Sequence, residues 1–484
     1  MSVASKICDR ALLNGRWVNS LGGEEVEVRN PATDELLARV ARCGPADVAL
    51  AIDAATVALP DWRAATAYER GAILRRLADA MLRDQDRLGW LMTEEQGKPL
   101  EEAKGEIRYA AGFIDWAGEE AKRVYGETIP ATSSNKRILI LHQAIGVAAA
   151  ITPWNYPSAM ITRKIGPALA TGCTMIVKPA TATPLSALAI GELAQEAGVP
   201  PGVLNILPGD GPPIATALLH DQRVRALSFT GSTEVGQLLM VEAARHVTKL
   251  GLELGGHAPF LVFDDADLEA AVAGVIASKF RNGGQTCICA NRIYVQDGIY
   301  ETFADALTER VRALHVGPGL EPGVQVGPMI DDRAIAKIED HIDDAIAGGA
   351  VVRAGGGRVA PRAGLADRFF APTVIENVTS SMKIHYEETF GPVAPLIRFS
   401  TEADGVAAAN DTRFGLAAYF FTRDVSRVIR VAEALDFGVI GANDGLPSTP
   451  QAPFGGFKAS GLGREGGKWG MDEYLETKYV SLGI

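Results

Sequence analysis

Cysteine and histidine are scarce in this chain, five and seven among 484 residues. So few cysteines do not make a disulfide scaffold, and they point to a reducing cytoplasm. Cys287-Ile288-Cys289 has the outline of a metal clip, yet no second Cys or His pair stands at ligand spacing, so no metal is expected. Positive charge is also short. Lys and Arg number 47 against 59 Asp and Glu, a net charge of -12, and no basic run offsets it, which excludes a nucleic-acid partner. No apolar run approaches the ~18 residues that span a bilayer, so no membrane anchor is expected. Lys6, Asp9 and Arg10 within the first ten residues argue against a secretory leader. Internal repeats and low-complexity tracts are missing as well.

What is present suffices for large cores: 47% of the residues are hydrophobic, and the length corresponds to roughly two to four domains. The organisation is clearest between Ile145 and Gly256. Gly146 to Thr152, Met175 to Val177, Val203 to Leu207, Val224 to Thr230 and Lys249 to Leu254 read as strands separated by amphipathic segments. That alternation predicts a parallel sheet flanked by helices. Pro184 opens one helix and Gly198 with Pro200 closes it, while Ser232 stands at an N-cap for the run to Arg245. A second alternating pattern from Phe260 to about Ile440, interrupted by Gly355-Gly356-Gly357, predicts another α/β unit. The N-terminal part is mostly helical from Pro45, and the polar stretch Tyr125 to Leu141 separates it from the first sheet.

Two glycine patterns compete for a dinucleotide. Gly461-Leu462-Gly463-Arg464-Glu465-Gly466 matches GxGxxG in letters but has no strand before it and no βαβ unit after it, so it reads as a loop. Phe229-Thr230-Gly231-Ser232-Thr233-Glu234-Val235-Gly236 runs from a strand into a helix, where free N-H groups and the helix dipole suit a pyrophosphate.

A sulfur nucleophile and a carboxylate base also stand out. Cys287 follows Asn282-Gly283-Gly284-Gln285, a stretch too polar and glycine-rich for a core, after an apolar helical run from Leu268 to Phe280. A helix that ends in such a loop displays its next side chains at a cleft. Glu253 ends an apolar strand and precedes Gly255 and Gly256, which suits a cleft better than a surface. A cysteine hydrolase would need a histidine partner, and none of the seven histidines has an orienting context.

Seven motifs carry a resemblance over nearly the whole chain. They are Thr152-Pro153-Trp154-Asn155-Tyr156-Pro157, Val177-Lys178-Pro179-Ala180, Phe229-Thr230-Gly231-Ser232, Glu253-Leu254-Gly255-Gly256, Gly284-Gln285-Thr286-Cys287, Glu387-Glu388-Thr389-Phe390-Gly391-Pro392 and Pro453-Phe454-Gly455-Gly456. In order and spacing this set resembles the aldehyde dehydrogenase superfamily. Ser158 to Lys164, Lys279 to Asn282 and Lys458 to Gly466 resemble its succinate-semialdehyde dehydrogenases. The resemblance implies an α/β fold with a Rossmann-type cofactor domain (residues 1–122 and 143–253), an α/β catalytic domain (254–465) and a small β oligomerisation arm (123–142 and 466–484), in a dimer or tetramer.

It also implies roles. Cys287 attacks the aldehyde, the Asn155 amide and the Cys287 N-H hold the oxyanion, and Glu253 is the base that cleaves the thioester, with Lys164 and Glu465 as electrostatic support. Trp154, Lys178, Thr181, Gly231, Ser232, Leu254, Glu388 and Phe390 bind the cofactor. Thr181 stands where NAD-preferring relatives commonly carry a glutamate, so NADP is expected to be preferred with NAD accepted. Arg163, Arg281 and Ser448 match positions that hold a distal carboxylate, and Arg163 is expected about two turns past Asn155 on the same helix. The implied reaction is oxidation of succinate semialdehyde, with glutarate semialdehyde or a broader range of aldehydes as alternatives. Cys289 is either a redox partner of Cys287 or a buried neighbour. A retired, purely structural relative would be free to lose the nucleophile and base, and both are present.

Overall fold

The computed structural model describes residues 8–484. Its centre is an eight-stranded sheet in the order Gly461–Leu462, Lys249–Glu253, Val224–Thr230, Val147–Ile151, Thr174–Lys178, Leu204–Ile206, Ala11–Leu13 and Arg16–Val18. The five strands from Lys249–Glu253 to Leu204–Ile206 are mutually parallel, as the apolar alternation predicts. Val147–Ile151 and Thr174–Lys178 are buried along their full length, the pattern of strands covered on both faces by helices.

The order of these strands fixes where a ligand belongs. From Val147–Ile151 the chain moves outward through Thr174–Lys178 and Leu204–Ile206, then crosses back to Val224–Thr230 on the other side. The sheet therefore reverses direction between Val147–Ile151 and Val224–Thr230. Thr152-Pro153-Trp154-Asn155 and Gly231-Ser232 leave the carboxyl ends of those two strands, at the crevice where open α/β sheets hold their ligands.

Helix signals act where the sequence places them. Gly198 takes the left-handed conformation after Leu185–Ala197, and Ser232 accepts the Val235 N-H at the start of Thr233–Ala243. A Cβ on Gly236 would sit 2.5 Å from Leu254, so glycine lets this helix close on the strand end. The helix Ala159–Thr171 is buried on every side. It starts after Asn155, because Tyr156-Pro157 occupy a turn, so Asn155 and Arg163 do not share a helix as expected.

A seven-stranded sheet forms the second unit, in the order Val351–Ala354, Thr373–Glu376, Val393–Phe399, Ala290–Gln296, Ala258–Val262, Ala417–Phe421 and Val439–Ala442. All of its pairings are parallel except the first. The predicted run to Phe280 is α-helical over Leu268–Val275 and widens to a π-turn over Ile276–Phe280. Leu475–Gly483, Lys136–Ala144 and Glu127–Ile129 form a third sheet, so much of the polar stretch read as a separator is strand. Gly461–Leu462 extends the edge of the first sheet, and the glycine pattern it begins leads only to the four-residue helix Trp469–Asp472. No helix among the described residues is long and apolar enough to cross a membrane.

Candidate active site

Cys287 belongs to the wall of two cavities. The first encloses about 340 Å³ and includes Arg163, Arg281, Ser448, Tyr109, Tyr156 and Phe454 in its lining. The second encloses about 560 Å³ at the sheet's reversal point and brings together Trp154, Asn155, Gly231, Ser232, Leu254, Glu388 and Phe390. Both volumes lie in the range of small-molecule and cofactor sites. Met160, one turn before Arg163, also faces both.

The loop carrying Cys287 differs from the expectation that it is too polar to be buried. Residues 282–286 are buried, and side chains rather than solvent satisfy their backbone. The Gln285 carbonyl accepts from the Asn155 Nδ2 at 3.0 Å and from the Asn282 Nδ2 at 3.2 Å. The Asn282 N-H donates to the Glu102 Oε2 at 2.8 Å, and the Gln285 side chain spans Asn282 and Ile330. Asn282, Gly283 and Gly284 all have positive φ, which winds the chain tightly enough to aim Cys287 at the cavities. Gly256 packs against the same turn, since a Cβ there would meet the Cys287 carbonyl at 2.2 Å. Among the described residues the Cys287 N-H has no acceptor.

Burial pushes the Cys287 thiol up to about 12, with Arg163 the strongest opposing influence. Glu253 follows Leu252 at the end of its strand, and among the described residues neither carboxyl oxygen has a hydrogen-bond partner. Burial and the neighbouring Glu465 raise it well above the usual carboxylate range. Burial acts on Glu465 as well, but Lys164 and Arg163 outweigh it and hold that carboxyl below its ordinary value. Of the two carboxyls, Glu253 is therefore the one that holds a proton more tightly. Lys164, fully buried, donates to Glu465 and to the Ser228 hydroxyl.

Two arginines expected to act alike have different surroundings. The Arg163 Nε lies 3.3 Å from the Glu465 Oε2, and its guanidinium stacks on Phe454 at 3.8 Å from the ring centroid. Arg281 has no carboxylate partner among the described residues, and its buried Nε is without an acceptor. The Ser448 hydroxyl is 2.5 Å from the Tyr109 hydroxyl, a neighbour that the sequence motifs do not include. Glu102 and Glu106 on the helix Leu100–Glu120 and Lys98 just before it, in the same lining, were also missed, because charges in and beside a helix read as a solvated face.

On the cofactor side the Glu388 Oε1 accepts the Gly256 N-H at 3.3 Å, and burial pushes its carboxyl up to about 7. Phe390 meets Trp154 edge to face at 5.7 Å. Lys178 and Thr181 lie outside this lining, at the end of the adjacent strand. There the Lys178 Nζ is 3.3 Å from the Thr181 Oγ1, which donates to the Gly209 carbonyl at 2.9 Å. Burial pushes the Lys178 ammonium down to about 8. The Cys289 thiol is buried, donates to the Lys279 carbonyl at 3.4 Å and forms no disulfide. No group of three His, Cys, Asp or Glu among the described residues is arranged to hold a metal.

This fold and this arrangement define an oxidoreductase of the aldehyde dehydrogenase family, to which the chain belongs: residues 17–480 match that family. It is 56% identical to the NADP(+) succinate-semialdehyde dehydrogenase GabD of Escherichia coli (strain K12), over 98% of each chain. It is 55% identical to the glutarate-semialdehyde dehydrogenase of Pseudomonas putida, again over 98% of each. A solved Escherichia coli NADP-dependent enzyme superimposes with a TM-score of 0.97 at 55% identity, covering 99% of this chain and 98% of that one.

Proposed function

We propose that this enzyme oxidises succinate semialdehyde to succinate, preferring NADP and accepting NAD, in a cytoplasmic setting that its five unpaired cysteines support. The observation that carries the reading is the position of Cys287, between a cavity that holds the partnerless Arg281 and a cavity at the sheet's reversal point. In this reading residues 1–122 with 143–253 hold the cofactor, 254–465 supply the nucleophile, and 123–142 with 466–484 form the arm.

The cofactor-side cavity suits a dinucleotide. Its volume is adequate, the buried Thr230 hydroxyl has no partner among the described residues, and Ser232 caps a helix whose first turn points its dipole inward. Trp154, Gly231, Ser232, Leu254, Glu388 and Phe390 would hold the cofactor there, with Lys178 and Thr181 at the adenosine end. When bound, the nicotinamide takes up the hydride that the oxidised carbon releases.

The chain's own groups do the rest. The Cys287 thiol gives up its proton, through water, to the ionised Glu253 carboxylate as its sulfur attacks the aldehyde carbon. One Asn155 Nδ2 hydrogen is committed to Gln285, leaving the other and the Cys287 N-H for the oxyanion. After oxidation the acyl group is a thioester on Cys287, and Glu253 takes a proton from the water that cleaves it. Its raised affinity for protons makes it a stronger base than an ordinary glutamate once ionised. Arg281 with Ser448 holds the distal carboxylate, while Arg163, partly neutralised by Glu465, adds field more than contact. Glutarate semialdehyde is the second reading. One more methylene changes binding by only about 1 to 3 kcal/mol, and the Pseudomonas putida relative bears that name.

Cys287→Ala tests the proposal. Semialdehyde oxidation is expected to fall by more than about a thousandfold with circular dichroism unchanged, and oxidation at the parent rate overturns the mechanism. Among C4, C5 and uncharged aldehydes, kcat/KM is expected to be highest for the C4 semialdehyde.

A further inference from the structure

We infer that Lys98, with Glu106, is a positioning pair that aims the Asn155 amide by fixing its main chain. The inference rests on the proposed role of Asn155 as oxyanion donor. Lys98 is buried just before the helix Leu100–Glu120, and Glu106 lies on that helix, also buried. A buried lysine has three donors to satisfy. One meets the Glu106 Oε2 and one the Asn155 carbonyl oxygen at 2.8 Å. The ammonium also sits 4.0 Å from the centroid of the Tyr156 ring. Two of its three donors are thus committed within the protein, although Lys98 belongs to the cavity wall.

The same helix face grips both segments that build the site. The Glu106 Oε1 accepts the N-H groups of Ser158 and Ala159 at 3.0 and 3.1 Å, capping a helix start that Ser158 itself does not cap. One turn earlier Glu102 holds the Asn282 N-H. The Asn282 Nδ2 then donates to the Asn155 carbonyl at 3.0 Å, so that oxygen is held from two sides. With the Asn155 Nδ2 bound to the Gln285 carbonyl, main chain and side chain of Asn155 are both fixed against the loop of the nucleophile. Displacements near 1 Å at a reacting centre cost on the order of a hundredfold. Removing the lysine frees the carbonyl on one side and allows that displacement.

The test is a cycle on the full-length enzyme with Lys98→Met, Asn155→Ala and both together. Because Lys98→Met alone leaves Glu106 unpaired, Lys98→Met with Glu106→Gln is made in parallel as the charge-neutral version. Either form of the lysine change is expected to lower kcat about 10- to 100-fold while KM stays within about threefold. On the Asn155→Ala background the same change is expected to cost less than about twofold, because the group it positions is gone. Alkylation of Cys287 by iodoacetamide builds no oxyanion, so its rate is expected to stay within about threefold. Additive losses, an equal loss in alkylation, or an unchanged kcat in the lysine variants overturns the inference and leaves the role of Asn155 standing. Asn155→Ala at the parent rate overturns that role and the inference with it.

Discussion

Arg281 and Arg163 bring the same charge to one cavity, but only Arg281 is free to spend it on a ligand. A guanidinium and a carboxylate about 4 Å apart at an effective dielectric near 20 attract by about 4 kcal/mol before desolvation. Arg281→Leu is therefore expected to raise KM for succinate semialdehyde more than tenfold and KM for hexanal less than threefold, measured in steady-state kinetics. Equal increases would remove Arg281 from substrate recognition. Lys178 gives a pH-dependent counterpart. Burial lowers its proton affinity to about 8, so the ammonium proposed to attract the 2'-phosphate is present below that pH and lost above it. KM for NADP is expected to rise between pH 8 and 9.5 while KM for NAD changes little, and Lys178→Met is expected to flatten the NADP profile. Glu253 and Cys287 stood out because a strand end and a glycine-rich loop set them apart from the apolar runs around them, whereas both arginines stood out only through the family resemblance. Lys98, Glu102 and Glu106 were not, since only their i, i+4 spacing set them apart from solvated charges. Pairing across the space between Asn155 and Asn282 is set by tertiary packing that no local pattern encodes.

The loop over residues 281–286 shows what an element contributes that its side chains do not. Gly284 has φ +76, and a Cβ on it would stand 2.2 Å from the Gly391 carbonyl oxygen, a backbone atom with no freedom to retreat. Gly284→Ala is expected to destabilise the protein by about 1 to 3 kcal/mol from backbone strain alone, and by more through the clash. Thermal unfolding checks this, and an unchanged Tm would refute it. The five parallel strands and the caps at Gly198 and Ser232 were readable from alternation and turn chemistry. The strands Ala11–Leu13 and Arg16–Val18 were not, because three-residue strands are too short to show a period. Lys136–Ala144 escaped for another reason. Its four consecutive apolar residues, Ile138 to Leu141, lie between polar ends and show no alternation, and its partner Leu475–Gly483 lies at the far end of the chain.

At the scale of the molecule, the third sheet carries exposed apolar side chains that include Ile129, Leu141, Tyr479 and Leu482. A homo-oligomer joined through this arm is expected, a dimer or tetramer by light scattering behind size exclusion. Tyr479→Asp with Leu482→Asp is expected to lower the measured mass, and an unaltered mass would exclude the arm as the contact. The chain's last fifth also returns to parts made long before. Gly461 pairs with Glu253, the Leu254 N-H donates to the Ser460 carbonyl, and Glu465 closes on Arg163 and Lys164. A polypeptide still emerging from the ribosome therefore carries its reactive sulfur but lacks the partners that tune the neighbouring carboxyl. Competence to turn over aldehyde is therefore expected late in synthesis, once the chain has been made past Glu465.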